Sequence, residues 1–128
     1  MKVSSQVFII LSLLLSPIAV NAGNWSEWMT SAQYQQEFNT RANEGFYPHT
    51  VDGKCQSGIE EFRAEWWKIP SGDSFWSHHG IDRGTYDSKN QEYTSKGYSL
   101  VFVTTFKDCS GVDRYQATWL KLPAHKID

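Results

Sequence analysis

Internal repetition is the feature of this sequence that most constrains its fold. Trp25-Ser26 recurs as Trp76-Ser77, and the segment FRAEWWKIP aligns with YQATWLKLP near the end of the chain. The offset between matching positions drifts only from 51 to 54 residues. Self-similarity at one period indicates that a single supersecondary unit is used twice. We therefore expect one domain over residues 23–128, made of two repeats at about 24–70 and 75–123.

Local signals predict a helix near the start of each repeat. In the first, Thr30 followed by Gln33 is a capping-box pattern that predicts a helix over about residues 31–44. In the second, Asp82 is a favourable N-cap residue, and Gly97 marks the expected end of the helix. Each repeat should then run strand, helix, strand, turn, strand.

The segments after the two helices have the composition of β-strands. FYPHTV and YSLVFVTTF are rich in β-branched and aromatic residues, and each precedes a turn and a returning strand. In the first returning strand Phe62, Ala64 and Trp66 alternate with polar residues, which predicts one core face and one solvent face. This alternation puts Trp67 on the solvent face, and the second repeat alternates likewise. We expect an α+β fold in which a curved antiparallel sheet carries both helices on one face.

Residues 1–22 have the pattern of a secretory signal peptide, with one lysine, an apolar run and a small residue at the end. We therefore expect a secreted or periplasmic protein. No later apolar stretch approaches the length that crosses a bilayer, so no membrane anchor is expected. If the source is eukaryotic, Asn24-Trp25-Ser26 is a glycosylation sequon.

Cys55 and Cys109 are the only cysteines, and they fall at corresponding places in the two repeats. Export to an oxidising compartment favours a disulfide between them over two free thiols. Such a bond would join the two repeats at the same turn.

Charge and aromatic content point to different classes of partner. After residue 22 the chain has 11 Lys and Arg against 14 Asp and Glu, a formal charge of −3, and no basic run. A surface that follows nucleic-acid phosphates needs clustered cations, so nucleic acid is excluded as a partner. All six Trp and all six Tyr lie after residue 22. Such rings build a core in a short chain and, on the surface, anchor proteins and glycans.

The stretch FWSHHGIDRGTYD contains the candidate residues for metal or acid–base chemistry, His78, His79 and Asp82. Adjacent strand residues point to opposite faces, so the two histidines would need a bend to bind one ion. The alternative is structural, with His79 in a turn before the Asp82 cap. No cofactor is expected.

Trp28 and Trp67 are stronger candidates for ligand binding, because the repeat pattern does not require a ring at either position. His79 joins them as a candidate, because it aligns with Trp28 between the repeats. The alternative is that the helices or the other repeat bury these side chains.

Several of these segments resemble a known family, the bacterial tandem repeat domain. WSHHGIDRGTYD, KGYSLVFVTTF and DRYQATWLK in the second repeat are similar to its pattern, and GFYPHTV and EEFRAEWWK in the first follow it more loosely. The module precedes the serine hydrolase domain of secreted polyglycine hydrolases and β-lactamase-like proteins. The resemblance covers residues 25–121 and implies a half-barrel of repeated α+β units that binds a substrate or partner. The hydrolase's Ser-x-x-Lys motif does not occur in this sequence.

These observations predict a small exported binding module without enzymatic activity. It should recognise a protein or peptide surface through exposed aromatic side chains, with a glycan as the alternative ligand. Two other hypotheses remain open: a secreted or periplasmic inhibitor of a hydrolase, and a metal-assisted hydrolase centred on His78, His79 and Asp82.

Overall fold

The computed structural model describes residues 25–70 and 73–121. The predicted signal peptide and the glycosylation sequon's Asn24 lie outside the described residues. So do residues 71–72, between the two repeats, and residues 122–123, the expected end of the second repeat.

Each repeat contains a helix and three strands in the predicted order. The first is built from β1 (Met29–Thr30), α1 (Ser31–Asn43), β2 (Phe46–Gln56) and β3 (Ile59–Lys68). The second is built from β4 (Ser74–Ile81), α2 (Arg83–Ser95), β5 (Ser99–Lys107) and β6 (Asp113–Lys121). The strands form two open antiparallel sheets of three strands, ordered β1-β3-β2 and β4-β6-β5. The predicted α+β class with two repeats is confirmed.

Both helices begin where the sequence predicts, because a side chain satisfies backbone N–H groups in the first turn. The Thr30 hydroxyl accepts from the backbone N–H of Gln33 at 3.3 Å, and the Gln33 side chain accepts from the Thr30 N–H at 3.0 Å. At α2 the Asp82 carboxylate accepts from the backbone N–H of Thr85 at 2.7 Å, which lowers the pKa of Asp82. Neither helix among the described residues has the length and apolarity needed to cross a membrane.

Each helix covers the equivalent face of its own sheet. In the first repeat Tyr34 of α1 packs against Phe62 and Trp66 of β3, which expose 1% each. In the second, Tyr93 of α2 packs edge-on against the fully buried Trp119 of β6. The alternation in the returning strands thus predicted the helix-facing sides correctly in both repeats.

Strand pairing corrects the alignment of the two repeats at their first strands. Trp25 lies opposite Glu65 of β3, and Ser77 lies opposite Thr118 of β6. Glu65 and Thr118 are equivalent in the repeat, so Trp25 corresponds to Ser77 and not to Trp76. An alignment of the repeats on the shared Trp-Ser pair is therefore wrong by one residue. The backbone hydrogen bonds define which positions are equivalent, and they pair Trp25 with Ser77.

This shift changes the counterpart of Trp28. Met29 and Ile81 occupy the same register position, so Trp28 corresponds to Gly80, and the predicted match with His79 is wrong. Gly80 has a φ of 66°, and a Cβ there would lie 3.3 Å from the ring of Phe62. The second repeat thus has no side chain where the first has an indole.

The repeats pack asymmetrically, since the helix-free face of the second sheet lies against the first repeat. The Thr104 hydroxyl donates to the Val51 carbonyl at 2.6 Å, and the Thr118 hydroxyl donates to the Pro48 carbonyl at 2.9 Å. Gln116 and Thr118 are completely buried. The solvent face predicted for the second repeat is therefore wrong, because the first repeat lies against it. Thr104 and Thr118 bind carbonyls of the first repeat, and Gln116 binds Thr104 and the Gly80 N–H within the second.

Close backbone approach and a disulfide complete this interface. The Phe106 ring lies so near Gly53 that a Cβ there would fall 2.5 Å from a ring carbon. Beside it, Cys55 and Cys109 form the predicted disulfide, with Cα atoms 5.2 Å apart. The bond is compatible with an extracellular environment.

Candidate functional site

The side of the first sheet that faces away from α1 is the surface on which the half-buried candidate Trp28 and the exposed Trp25 meet charged residues. We call this surface the outer face; it consists of Trp25, Trp28, Thr50, Asp52, Lys54, Glu61, Arg63 and Glu65. No described element covers it. The equivalent face of the second sheet is the one buried between the repeats, with Phe102, Thr104, Phe106, Gln116 and Thr118 at matching positions.

A guanidinium lies between two indoles at the centre of the outer face. The Arg63 Cζ atom lies 4.7 Å from the ring centroid of Trp25 and 4.6 Å from that of Trp28. The Lys54 Nζ atom lies 4.2 Å from the Trp28 centroid. These are cation–π distances, and each such contact at an exposed site stabilises by roughly 0.5–1 kcal/mol.

Two ion pairs hold the cations in place. Arg63 Nη2 lies 3.5 Å from Asp52 Oδ2, and Lys54 Nζ lies 3.9 Å from Glu61 Oε1. Pairs on a surface add little stability, since solvent screens them. Their consequence here is positional, because they limit the orientations that the two cations adopt over the indoles.

The hairpin between β2 and β3 sets this register. Ser57 and Gly58 form its two-residue loop, with φ values of 52° and 79°, as a type I′ turn requires. The turn places Asp52 opposite Arg63. Arg63, Lys54 and Trp25 were not among the binding residues predicted from the sequence, although the Ser-Gly dipeptide between two strand patterns was the signal from which their register follows.

Trp67 lies farther along β3, on the same side as Arg63 and Glu65 by strand alternation. Its ring stacks on the imidazole of His49, with centroids 3.8 Å apart and planes 11° apart. The residue is half-buried, and its indole N–H has no hydrogen-bond partner among the described residues. Trp67 is therefore less accessible than Trp25, which exposes 40%.

His78 faces α2. Its Nε2 atom lies 2.8 Å from the hydroxyl of Tyr93, and its ring is parallel to the Tyr93 ring. Burial and, second, the charge of Lys89 lower the pKa of His78.

His79 faces the first repeat. Its ring packs edge-on against Tyr34 and Phe62, with both centroid distances 4.7 Å, and its Nε2 atom lies 3.1 Å from the Ser31 hydroxyl. Burial, and to a smaller degree the charge of His78, lowers the pKa of His79 to about 4. A neutral imidazole here joins the two repeats.

The structure therefore separates the three residues of the metal hypothesis. His78 and His79 point to opposite sides of β4, and Asp82 caps α2. Over residues 25–70 and 73–121 no group of three or more His, Cys, Asp or Glu is arranged to hold a metal ion.

Comparison with known proteins identifies the repeat. A family model described as a polyglycine hydrolase-like structural repeat matches residues 29–68 and 72–122. No curated protein matches the chain, and no solved structure matches it. The two matched segments coincide with the two repeats of the structure, and together they cover most of the chain.

Proposed function

The chain belongs to the polyglycine hydrolase-like structural repeat family, and from this premise we propose that it is a small exported binding module without a catalytic centre of its own. It recognises a protein or peptide surface through the outer face of the first sheet. One observation carries the proposal: the face that the second repeat buries against the first is left uncovered, among the described residues, in the first repeat.

The residue types on the outer face support a binding role. Trp and Arg are the residues that most often dominate the energy of protein interfaces. Trp25, Trp28 and Arg63 stand at positions where the second repeat has the small or neutral residues Ser77, Gly80 and Gln116. The second repeat carries the residues of a packed internal contact, whereas the first carries those of a recognition surface.

The outer face is also organised before any partner binds. Arg63 is held between two rings and by Asp52, and Lys54 is held by Trp28 and Glu61. Ordering a long, flexible side chain costs free energy when a complex forms. Part of that cost is already met in the folded chain, which favours binding.

Affinity capture from the extracellular or periplasmic fraction of the source tests the proposal. The full chain, its Trp28→Ala variant and its Arg63→Ala variant are each immobilised, and the captured proteins are quantified by mass spectrometry. Val112→Ala is the matched control, since Val112 is 48% exposed in the β5–β6 hairpin of the second repeat and lies outside the outer face.

We expect at least one protein that the native chain and Val112→Ala capture and that the Trp28 and Arg63 variants lose. Capture of the same proteins by all four forms, or of none by the native chain, contradicts the proposal. If the protein captured is a hydrolase, an assay of its activity with added chain decides whether binding inhibits it.

A further inference from the structure

The groove between the first strand and the helix is filled in one repeat and open in the other. In the second repeat the rings of Trp76 and Tyr93 lie parallel, with centroids 5.1 Å apart. The His78 imidazole is also parallel to the Tyr93 ring, and its Nε2 atom is hydrogen-bonded to the Tyr93 hydroxyl. These aromatic side chains occupy the space between β4 and α2.

Small and charged residues stand at the equivalent places of the first repeat. Both helices contain 13 residues and start directly after their caps, so Arg41 corresponds to Tyr93. Ser26 corresponds to His78, because its backbone N–H donates to Ala64 as the register with β3 requires. The Ser26 hydroxyl is engaged, since it accepts from the Ala64 N–H at 3.0 Å.

Within the part of the chain that the structure describes, the smaller side chains of the first repeat leave a cleft of about 420 Å³. Its lining residues are Trp25, Ser26, Glu27, Met29, Glu37 and Arg41. This volume lies within the range of about 300–1,000 Å³ that is usual for ligand sites.

We propose that this cleft binds an aromatic side chain with one hydrogen-bond donor, the tryptophan or tyrosine of a partner polypeptide. The proposal rests on the proposed function, since it assumes that the chain binds a protein or peptide. The guest ring takes the space that the His78 imidazole fills in the second repeat and packs beside Arg41 as that imidazole packs beside Tyr93.

The chemistry of the lining residues specifies this guest. The Arg41 guanidinium is planar and is held by Glu37 through a 2.7 Å hydrogen bond, so it offers a flat cationic surface to an aromatic ring. Glu27 has no hydrogen bond or ion pair with the other described residues, so its carboxylate oxygens are available to an N–H or O–H of the guest. Met29 adds an apolar and polarizable contact.

A sugar fits these groups less well. A pyranose presents several hydroxyls and needs several partners, whereas Glu37 and Arg41 already bind each other. Of the two carboxylates among the lining residues, Glu37 is paired with Arg41, and Glu27 is left to accept the indole N–H or phenol O–H of the guest.

Chemical-shift titration of the 15N-labelled full chain tests the proposal. The probes are N-acetyl-tryptophanamide, N-acetyl-tyrosinamide, N-acetyl-phenylalaninamide, which has no side-chain donor, and methyl glucoside. We expect the first two to shift the amide signals of Glu27, Glu37 and Arg41, with a Kd on the order of 1 mM, and the phenylalanine probe to bind several-fold more weakly. Stronger shifts from methyl glucoside would make the cleft a glycan site, and shifts confined to other residues would overturn the proposal.

Two variants separate this site from the outer face. Arg41→Tyr reproduces the residue of the second repeat and fills the cleft, so it should weaken the tryptophan probe about tenfold or more. Trp28→Ala changes the outer face and should leave probe binding unchanged. If the probes bind as expected and Trp28→Ala still captures every protein that the native chain captures, the cleft proposal is supported and the proposed function of the outer face is contradicted. The opposite result is that Trp28→Ala abolishes protein capture while Arg41→Tyr leaves probe binding unchanged. In that case the cleft proposal alone is wrong.

Discussion

The imidazole of His79 lies edge-on against the ring of Tyr34, with the centroids 4.7 Å apart, so a titratable group of the second repeat packs against the core of the first. Its Nε2 atom lies 3.1 Å from the Ser31 hydroxyl. The contact joins strand β4 to helix α1, and its stability therefore depends on the charge of one ring.

We expect the free energy of unfolding to fall as the pH drops from about 6.5 to about 4. The folded-state pKa of His79 is lowered to about 4 from an ordinary value of 6.5. The unfolded chain therefore binds more protons in this window, and acid favours it by up to about 3 kcal/mol. The lowered pKa of His78 acts in the same direction.

Urea unfolding of the native chain and of His79→Phe at pH 7 and pH 4.5 checks this expectation. The variant keeps an aromatic ring in the site and removes the proton, so its stability should change less between the two pH values. An equal loss in both proteins would show that other groups cause the acid sensitivity.

Gly53→Ala should destabilise the fold by about 1–3 kcal/mol, since the new methyl group would overlap the ring of Phe106. Gly84→Ala is the matched control. A Cβ at Gly84, in the first turn of α2, meets only the Asp82 side chain at 3.8 Å, and alanine favours a helix by up to about 1 kcal/mol. Thermal unfolding should therefore shift in opposite directions. A neutral Gly53→Ala would mean that the two sheets separate without cost at this point.

Arg63→Lys should cost part of the stability of the outer face, although it preserves the charge. The lysine ammonium is compact, whereas the planar guanidinium stacks on Trp25 and Trp28 together. We expect a loss of about 0.5–1 kcal/mol in urea unfolding and a changed tryptophan emission. Lys107→Arg is the comparison, because Lys107 pairs with Asp113 on the exposed β5–β6 hairpin and should tolerate the exchange. Unaltered stability and emission in Arg63→Lys would show that the stacking contributes nothing.

Replacing both cysteines by serine, as Cys55→Ser with Cys109→Ser, should lower the free energy of unfolding by roughly 4 kcal/mol. The bond closes a loop with a sequence separation of 54, which restricts the unfolded chain. The native protein treated with a reductant should show the same loss in urea unfolding. A loss only in the double variant would indicate that the serines, and not the missing bond, disturb the structure.

The sequence predicted the repeat unit well, because its signals are local. The capping residues Thr30 and Asp82 act within one helical turn, and both helices start beside them. The alternation of Phe62, Ala64 and Trp66 reports which side of a strand is apolar, and that side meets the helix. The family resemblance rested on the same residues and is confirmed.

The candidate site was predicted only in part, because its contacts join separate segments. Trp28 was recognised as a ring that the repeat does not require, but its partners Arg63 and Lys54 lie on two other strands. The alignment also paired Trp28 with His79, since it rested on a shared Trp-Ser pair, and sequence identity carries no information about the backbone register. The open cleft beside Arg41 becomes visible only when the two repeats are compared in space.

By itself the sequence determined that one α+β unit occurs twice and where its helices begin, together with the two cysteines that join the copies. Only the tertiary structure decided which solvent face stays open. Gln116 in β6 and Arg63 in β3 hold equivalent positions, yet Gln116 is fully buried, whereas Arg63 is half-buried on the outer face. The physical reason is that the second repeat packs its helix-free face onto the first, whereas no described element packs onto that of the first.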